Sequence, residues 1–229
     1  MALILNIETS TSVCSAAIAK DGKILAERES FDDRSHGTLL TVFIEELLNE
    51  CKLTANELDA ISVSEGPGSY TGLRIGVSVA KGICYATQKP LIAINTLQAM
   101  ALMARDKVKT TELIYCPMID ARRMEVYSAM FDSNMKEIRK TMAEVIDENS
   151  FASDLLNTKI AFFGDGALKC KGLVNSENAI FLNDIYPSAK FMAFLAETAY
   201  KNNTFKDVAY FEPFYLKDFV ATIPKKRVF

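Results

Sequence analysis

The sequence has no tryptophan, one histidine, six prolines and no surplus of positive charge in 229 residues. Two of these shortages each remove a class of function. A lone imidazole, His36, cannot build the paired-histidine metal and acid-base sites common in enzymes. With 26 basic residues against 29 acidic ones the net charge is −3, which excludes a generally basic nucleic-acid-binding coat. The longest apolar stretch, residues 91–104, is broken by Asn95, Thr96 and Gln98, well short of the roughly 20 apolar residues of a membrane helix. Residues 1–7 carry no basic lead-in and run into Asn6 and Glu8, unlike a secretory signal. The expectation is a cytoplasmic protein with no membrane contact.

What is present is an ordinary globular composition, 49% hydrophobic and 24% charged, which excludes disorder. The five cysteines (Cys14, Cys51, Cys84, Cys116 and Cys170) are odd in number, far apart and set among apolar residues. They read as buried free thiols, since zinc sites need close pairs and disulfide frameworks need an oxidising compartment.

Three apolar runs open the chain, at 2–7, 13–19 and 23–31, with Asp21-Gly22 as a hairpin signal between the last two. From residue 38 the period changes: Leu39, Leu40, Phe43, Ile44, Leu47, Leu48 and Cys51 fall on one helical face. A strand at 60–63, a helix at 71–86, a strand at 91–94 and a helix at 96–105 capped by Thr96 follow. The second half repeats the order, with strands at 113–119, 125–131 and 136–145, a weak helix at 148–156, a strand at 160–163, a short helix, a strand at 179–182 and a helix at 188–202. Two β-β-β-α-β-α units in tandem imply a duplicated α/β fold of two lobes, residues 1–106 and 107–229. The segment 204–229 has no clear period and packs across either lobe.

Such lobes enclose a cleft at their strand ends, where ligands bind. Glu8, Thr9 and Ser10 lie in the turn after the first strand, a phosphate cradle or only a turn. Asp120 occupies the matching place in the second half, in Asp120-Ala121-Arg122-Arg123, and Gly164 and Gly166 flank Asp165 where a later strand meets a helix.

The segment Gly66-Pro67-Gly68-Ser69-Tyr70-Thr71-Gly72-Leu73-Arg74 is the most specific in the chain. It lacks the Lys-Ser or Lys-Thr ending of a Walker A loop and reads as a strand-to-helix turn capped by Ser69 or Thr71. The helix it opens tolerates Gly72, Gly76 and Gly82, each costing about 1 kcal/mol relative to alanine. It is apolar on two sides, so it is either wholly internal or turns one side to a partner. On the second reading the row Gly72, Gly76 and Ala80 admits a close partner helix, and Leu39, Phe43, Leu47, Arg74, Val79 and Ile83 complete the interface.

Together, Asn6-Ile7-Glu8-Thr9-Ser10, the glycine segment through Ile75-Gly76, and Ile119-Asp120-Ala121-Arg122-Arg123-Met124-Glu125-Val126-Tyr127 closely resemble the bacterial TsaB (YeaZ) family, over nearly the whole chain. That resemblance implies the duplicated fold of actin, Hsp70 and sugar kinases (ribonuclease H-like), and a part in threonylcarbamoylation of tRNA adenosine next to the anticodon. It implies an inactive relative of the catalytic subunit TsaD, a heterodimer with TsaD, contact with the small ATPase TsaE, tRNA reached through the complex, and a homodimer when alone. Older descriptions of the family as M22 glycoproteases imply a metal, but the catalytic relative's His-x-x-x-His pair is broken here. His36 is followed four residues on by Leu40, which leaves His36 as a surface residue at a helix start.

The nucleotide cleft of Glu8, Thr9, Ser10, Asp120, Gly164 and Gly166 is expected to be degenerate, with ATP bound weakly or not at all. Arg122 or Arg123 fills it or takes an anion. Two other readings remain: an ATP-dependent phosphotransferase using Glu8 or Asp120 as base, and a metalloprotease, for which the residues supply neither ligands nor nucleophile. The basic tail Lys225-Lys226-Arg227 is either solvated or touches tRNA.

Overall fold

The computed structural model describes residues 2–32, 36–110 and 112–217. The tail Lys225-Lys226-Arg227 lies outside the described residues. Two five-stranded sheets carry the fold. The first orders its strands β3 (Lys23–Ser30), β2 (Cys14–Lys20), β1 (Leu3–Glu8), β4 (Ala60–Gly66) and β5 (Leu91–Asn95). The second runs β8 (Glu137–Val145), β7 (Glu125–Phe131), β6 (Ile114–Asp120), β9 (Ile160–Phe163) and β10 (Ala179–Phe181). The two orders match strand for strand, so the tandem repeat expected from the pattern is a repeat of topology. In each sheet the central strand pairs antiparallel with the next strand in sequence and parallel with the strand after the first crossover. Interior strands covered on both faces are buried nearly throughout: Ile160–Phe163 is wholly apolar, and Leu3–Glu8 departs from that only at Asn6 and Glu8.

Helices α1 (His36–Cys51) and α2 (Tyr70–Thr87) cover one face of the first sheet, where Leu40, Leu47, Val77, Ala80 and Cys84 meet Leu5, Ile7 and Val63. The other face meets α5 (Ala193–Lys201), whose Ala196 and the preceding Met192 pack on Ala2, Ile4, Ala60 and Ile92. Helix α3 (Thr96–Val108) lies between the sheets. Its Leu97, Met100, Ala101 and Ala104 face the second sheet and Ala99 the first. A late helix thus completes the first lobe and a helix of the first half completes the second.

The local differences from expectation have identifiable causes. Asn95, not Thr96, caps α3, its side chain accepting from the Gln98 N–H at 3.0 Å. For α2 the cap is Ser69. Residues 148–156 form turns and a short 3-10 segment, Asp154–Leu156, in place of an α-helix. Asp147 and Ser150 bond each other and nearby amides, and Phe151 takes a left-handed φ of 63°. Such side-chain bonds compete with helix formation. In the last helical stretch residues 189–192 are 3-10, and the α-helix begins at Ala193. No helix among the described residues is long and apolar enough to cross a membrane.

Candidate functional site

A cleft of about 1020 Å³ opens between the two lobes. One side carries Ser10, Thr11 and Ser12 from the β1–β2 turn, His36 and Gly37 from α1, and residues 67–72 from the start of α2. The other carries Ile119 to Arg122, Tyr127 and Asp165, and a third wall comes from Phe214, Tyr215, Leu216 and Lys217.

Of the residues expected in a nucleotide site, Ser10 and Asp120 line this cleft, while Glu8 and Thr9 are fully buried beneath it. Glu8 faces inward because Asn6 and Glu8 share the sheet face of Ile4, opposite Leu5 and Ile7. Its Oε1 accepts the Ser10 N–H at 2.6 Å and its Oε2 has no partner among the described residues. Burial pushes this carboxyl above the usual carboxylate range, against the opposing pull of the Ser10 and Ser64 groups beside it. Thr9 is pressed against α2, its hydroxyl donating to the Gly72 carbonyl at 2.9 Å. Gly164 and Gly166, at the entry to α4 (Asp165–Cys170), lie against the backbone of Met118 and Ile119.

The loop after β6 is held by its own chain. The Asp120 carboxylate accepts the Arg122 N–H at 2.7 Å and forms an ion pair with Lys169. Lys169 also donates to the Arg123 and Glu125 carbonyls at 2.8 and 2.6 Å. Asp165 accepts the N–H groups of Asp120 and Gly166, and burial raises its carboxyl pKa. Arg122 and Arg123 sit at φ 73° and 52°, a left-handed pair of side-chain-bearing residues costing about 1–2 kcal/mol each.

His36 departs from the expected surface position. Helix α1 begins at His36, which tucks the ring under the hydroxyl turn: the residue is 7% exposed and its Nε2 lies 2.8 Å from the Thr11 carbonyl. A carbonyl only accepts, so Nε2 carries the proton. Leu40, one turn on, is buried in the core.

The expected partner face is corrected at four positions. Leu47 and Ala80 are fully buried in the lobe's own core, and Gly72 and Gly76 face Thr9. A Cβ on Gly72 would meet the Thr9 carbonyl, and one on Gly76 the Thr9 hydroxyl. The small residues admit the chain's own β1–β2 turn, not a foreign helix. Arg74 is exposed, and Leu39, Phe43, Val79 and Ile83 are half-buried on the outer side of α1 and α2.

Sequence reasoning missed Lys169 and Glu125; the segment from 204 was expected to pack across a lobe, and its described part, residues 205–217, forms a strap that does so. The strap runs along the first lobe: the Lys206 N–H bonds the Leu91 carbonyl, Lys81 donates to the Ala209 and Phe211 carbonyls, and the Phe214 N–H bonds the Glu65 carbonyl at 2.7 Å. Tyr215 packs its ring on Tyr70 with centroids 5.0 Å apart. Lys217 reaches across the cleft to pair with Glu125.

Comparison with known proteins agrees with this architecture. The family model described as TsaD, tRNA N6-adenosine threonylcarbamoyltransferase, matches residues 23–225. Among curated proteins, the tRNA threonylcarbamoyladenosine biosynthesis protein TsaB of Escherichia coli is 29% identical over 228 residues, covering 95% of this chain and 96% of that protein. The chain belongs to the TsaB branch of the TsaD family. The Bacillus subtilis TsaB protein is 30% identical over 153 residues, an alignment spanning 67% of this chain and 64% of that protein's length. A solved Pseudomonas aeruginosa protein described as similar to peptidase YeaZ superposes with a TM-score of 0.84 at 25% identity, covering 95% of this chain and all of that one. The fold is the duplicated α/β architecture of the actin and sugar-kinase type.

Proposed function

We propose that this chain is the non-catalytic TsaB-type subunit of the machinery that makes threonylcarbamoyladenosine in tRNA, working beside a TsaD-type catalytic subunit. The observation that carries this reading is the state of the cleft's carboxylates. Glu8 is buried under the Ser10 amide, Asp120 is bound by Lys169, Glu125 by Lys217, and Asp165 by two backbone N–H groups. A phosphotransferase needs a carboxylate free to take a proton from a substrate hydroxyl, and a metal-nucleotide site needs oxygens free to bind the ion. Each of these carboxylates has one oxygen held by an internal partner, which lowers its availability as a base, and Glu8 is in addition fully buried. On this reading the cleft works without ATP, metal or chemistry of its own, and the activity resides in the partner.

The docking face is the outer side of α1 and α2, where Leu39, Phe43, Val79 and Ile83 remain half-buried and Arg74 is exposed. Alone, the chain pairs with a second copy through this face. In the complex the TsaD-type subunit takes it, and the TsaE-type ATPase and the tRNA join that assembly. Phe43→Glu combined with Val79→Glu tests this, with thermal melting measured alongside because both half-buried side chains also pack in part against the first lobe's core. Calorimetric titration with the TsaD-type subunit of the same source should show binding by the parent and at least a tenfold loss in the variant, about 1.4 kcal/mol or more. An unchanged affinity, with the variant folded, would remove the face from the account.

A further inference from the structure

The loop from Asp120 to Glu125 turns three oxygens towards one point: the Asp120 carboxylate, the Arg123 carbonyl and the Glu125 carbonyl. The Lys169 ammonium sits there, 2.8 Å from the Arg123 oxygen, 2.6 Å from the Glu125 oxygen and ion-paired with Asp120. An ammonium has three N–H donors and this cup supplies three acceptors, so the match is complete. The left-handed backbone at Arg122 and Arg123 belongs to the same construction, reversing the chain so that carbonyls 123 and 125 face one cation. One carboxylate with backbone carbonyls is an oxygen-only donor set of the kind that hard cations take. It lies beside the cleft wall formed by Asp120, Ala121, Arg122 and Asp165. Asp165 braces the cup from below by accepting the Asp120 N–H at 3.0 Å.

We infer that Lys169 is a resident cation, a specificity-determining residue that fills this oxygen cup and thereby keeps divalent metal, and polyphosphate bound to it, out of the cleft. The inference deepens the non-catalytic reading and rests on it, because a cleft that must hold a metal-nucleotide could not spare the cup. Removing the ammonium leaves a carboxylate and two carbonyls at the cleft rim with no positive partner, and a divalent ion then has a seat.

Manganese binding to the intact chain, counted by electron paramagnetic resonance, tests this with Lys169→Ala. Lys140→Ala serves as the control for loss of one exposed positive charge. Lys169→Ala should bind one Mn²⁺ per chain about tenfold or more tighter than the parent or the control. Adding Asp120→Asn to Lys169→Ala should abolish that gain. A folded Lys169→Ala chain that binds Mn²⁺ no tighter than the parent overturns the inference, and so does a parent that already binds it as tightly. If the variant melts early, Mn²⁺ or ethylammonium should restore its Tm where equal sodium chloride does not; restoration by neither also overturns it. Heterodimer formation with the TsaD-type subunit is measured on the same samples. Its absence in the parent counts against the proposed function and leaves the manganese result to be judged alone.

Discussion

Replacing Gly76 by alanine sets two physical effects against each other. Intrinsic helix propensity favours alanine by about 1 kcal/mol. The new Cβ, however, would fall inside contact distance of the Thr9 hydroxyl and 3.4 and 3.5 Å from the Thr9 Cβ and Cγ2. Thr9 has no room to retreat: it is fully buried and its hydroxyl donates to the Gly72 carbonyl at 2.9 Å. Losing that bond costs about 1 kcal/mol and overpacking a filled site about 1–3 kcal/mol. With the propensity gain subtracted, the net destabilisation is about 1–3 kcal/mol, or roughly 2–12 °C in Tm for a chain of this length. Gly82→Ala is the matched control, on the same helix with nothing among the described residues within 4 Å of its Cβ position, and it should gain stability by up to about 1 kcal/mol. Scanning calorimetry of both variants decides the matter. A Gly76→Ala chain as stable as the parent would mean that the small-residue row is open, and would return it to the partner face.

Glu8→Gln should stabilise the protein at neutral pH. A raised folded-state pKa means that the wild-type carboxyl contributes its full stability below about pH 4.5 and loses it as pH rises towards the folded value, about 1.4 kcal/mol for each pH unit in which only the unfolded chain is ionised. The variant's advantage in urea melts should therefore be nil in acid and grow upward from pH 4.5, and an advantage that shrinks with pH would contradict the burial argument. The thiols should differ in the same spirit. Burial pushes Cys14 to about 11 and Cys84 to about 12, and Cys116 is fully enclosed, whereas Cys51 is only half-buried. A thiol reagent at pH 8 should modify Cys51 first and the others only on unfolding, as peptide mapping would show; early labelling of Cys14 or Cys84 would refute this.

The strands were legible because each central one is a short apolar run bounded by turn residues, and α1 and α2 because their apolar positions keep a helical period. The α2 cap was narrowed to Ser69 or Thr71 from the glycine segment alone. What could not be read is what each face meets. Gly72 and Gly76 announce a close approach, but that the approaching backbone is Thr9, more than sixty residues earlier, is a property of the folded chain. The same holds for Lys169, whose three acceptors lie more than forty residues away in sequence with no local signal linking them. His36 stands at the helix start as expected, but its burial is set by the Thr11 carbonyl, twenty-five residues earlier, which the local sequence does not announce. Residues 148–156 carried a weak helical pattern that the local bonds of Asp147 and Ser150 outweigh.

The central claim is that this chain supports threonylcarbamoylation of tRNA without performing chemistry in its own cleft. Reconstitution measures it most directly: the TsaD-type and TsaE-type proteins of the same source, threonylcarbamoyl-adenylate and tRNA are incubated with this chain, and modified adenosine is counted by mass spectrometry. The account predicts modification that requires this chain, persists with Glu8→Gln, and is lost with Phe43→Glu and Val79→Glu together. Full modification without the chain, or loss with Glu8→Gln while the complex still assembles, would contradict it.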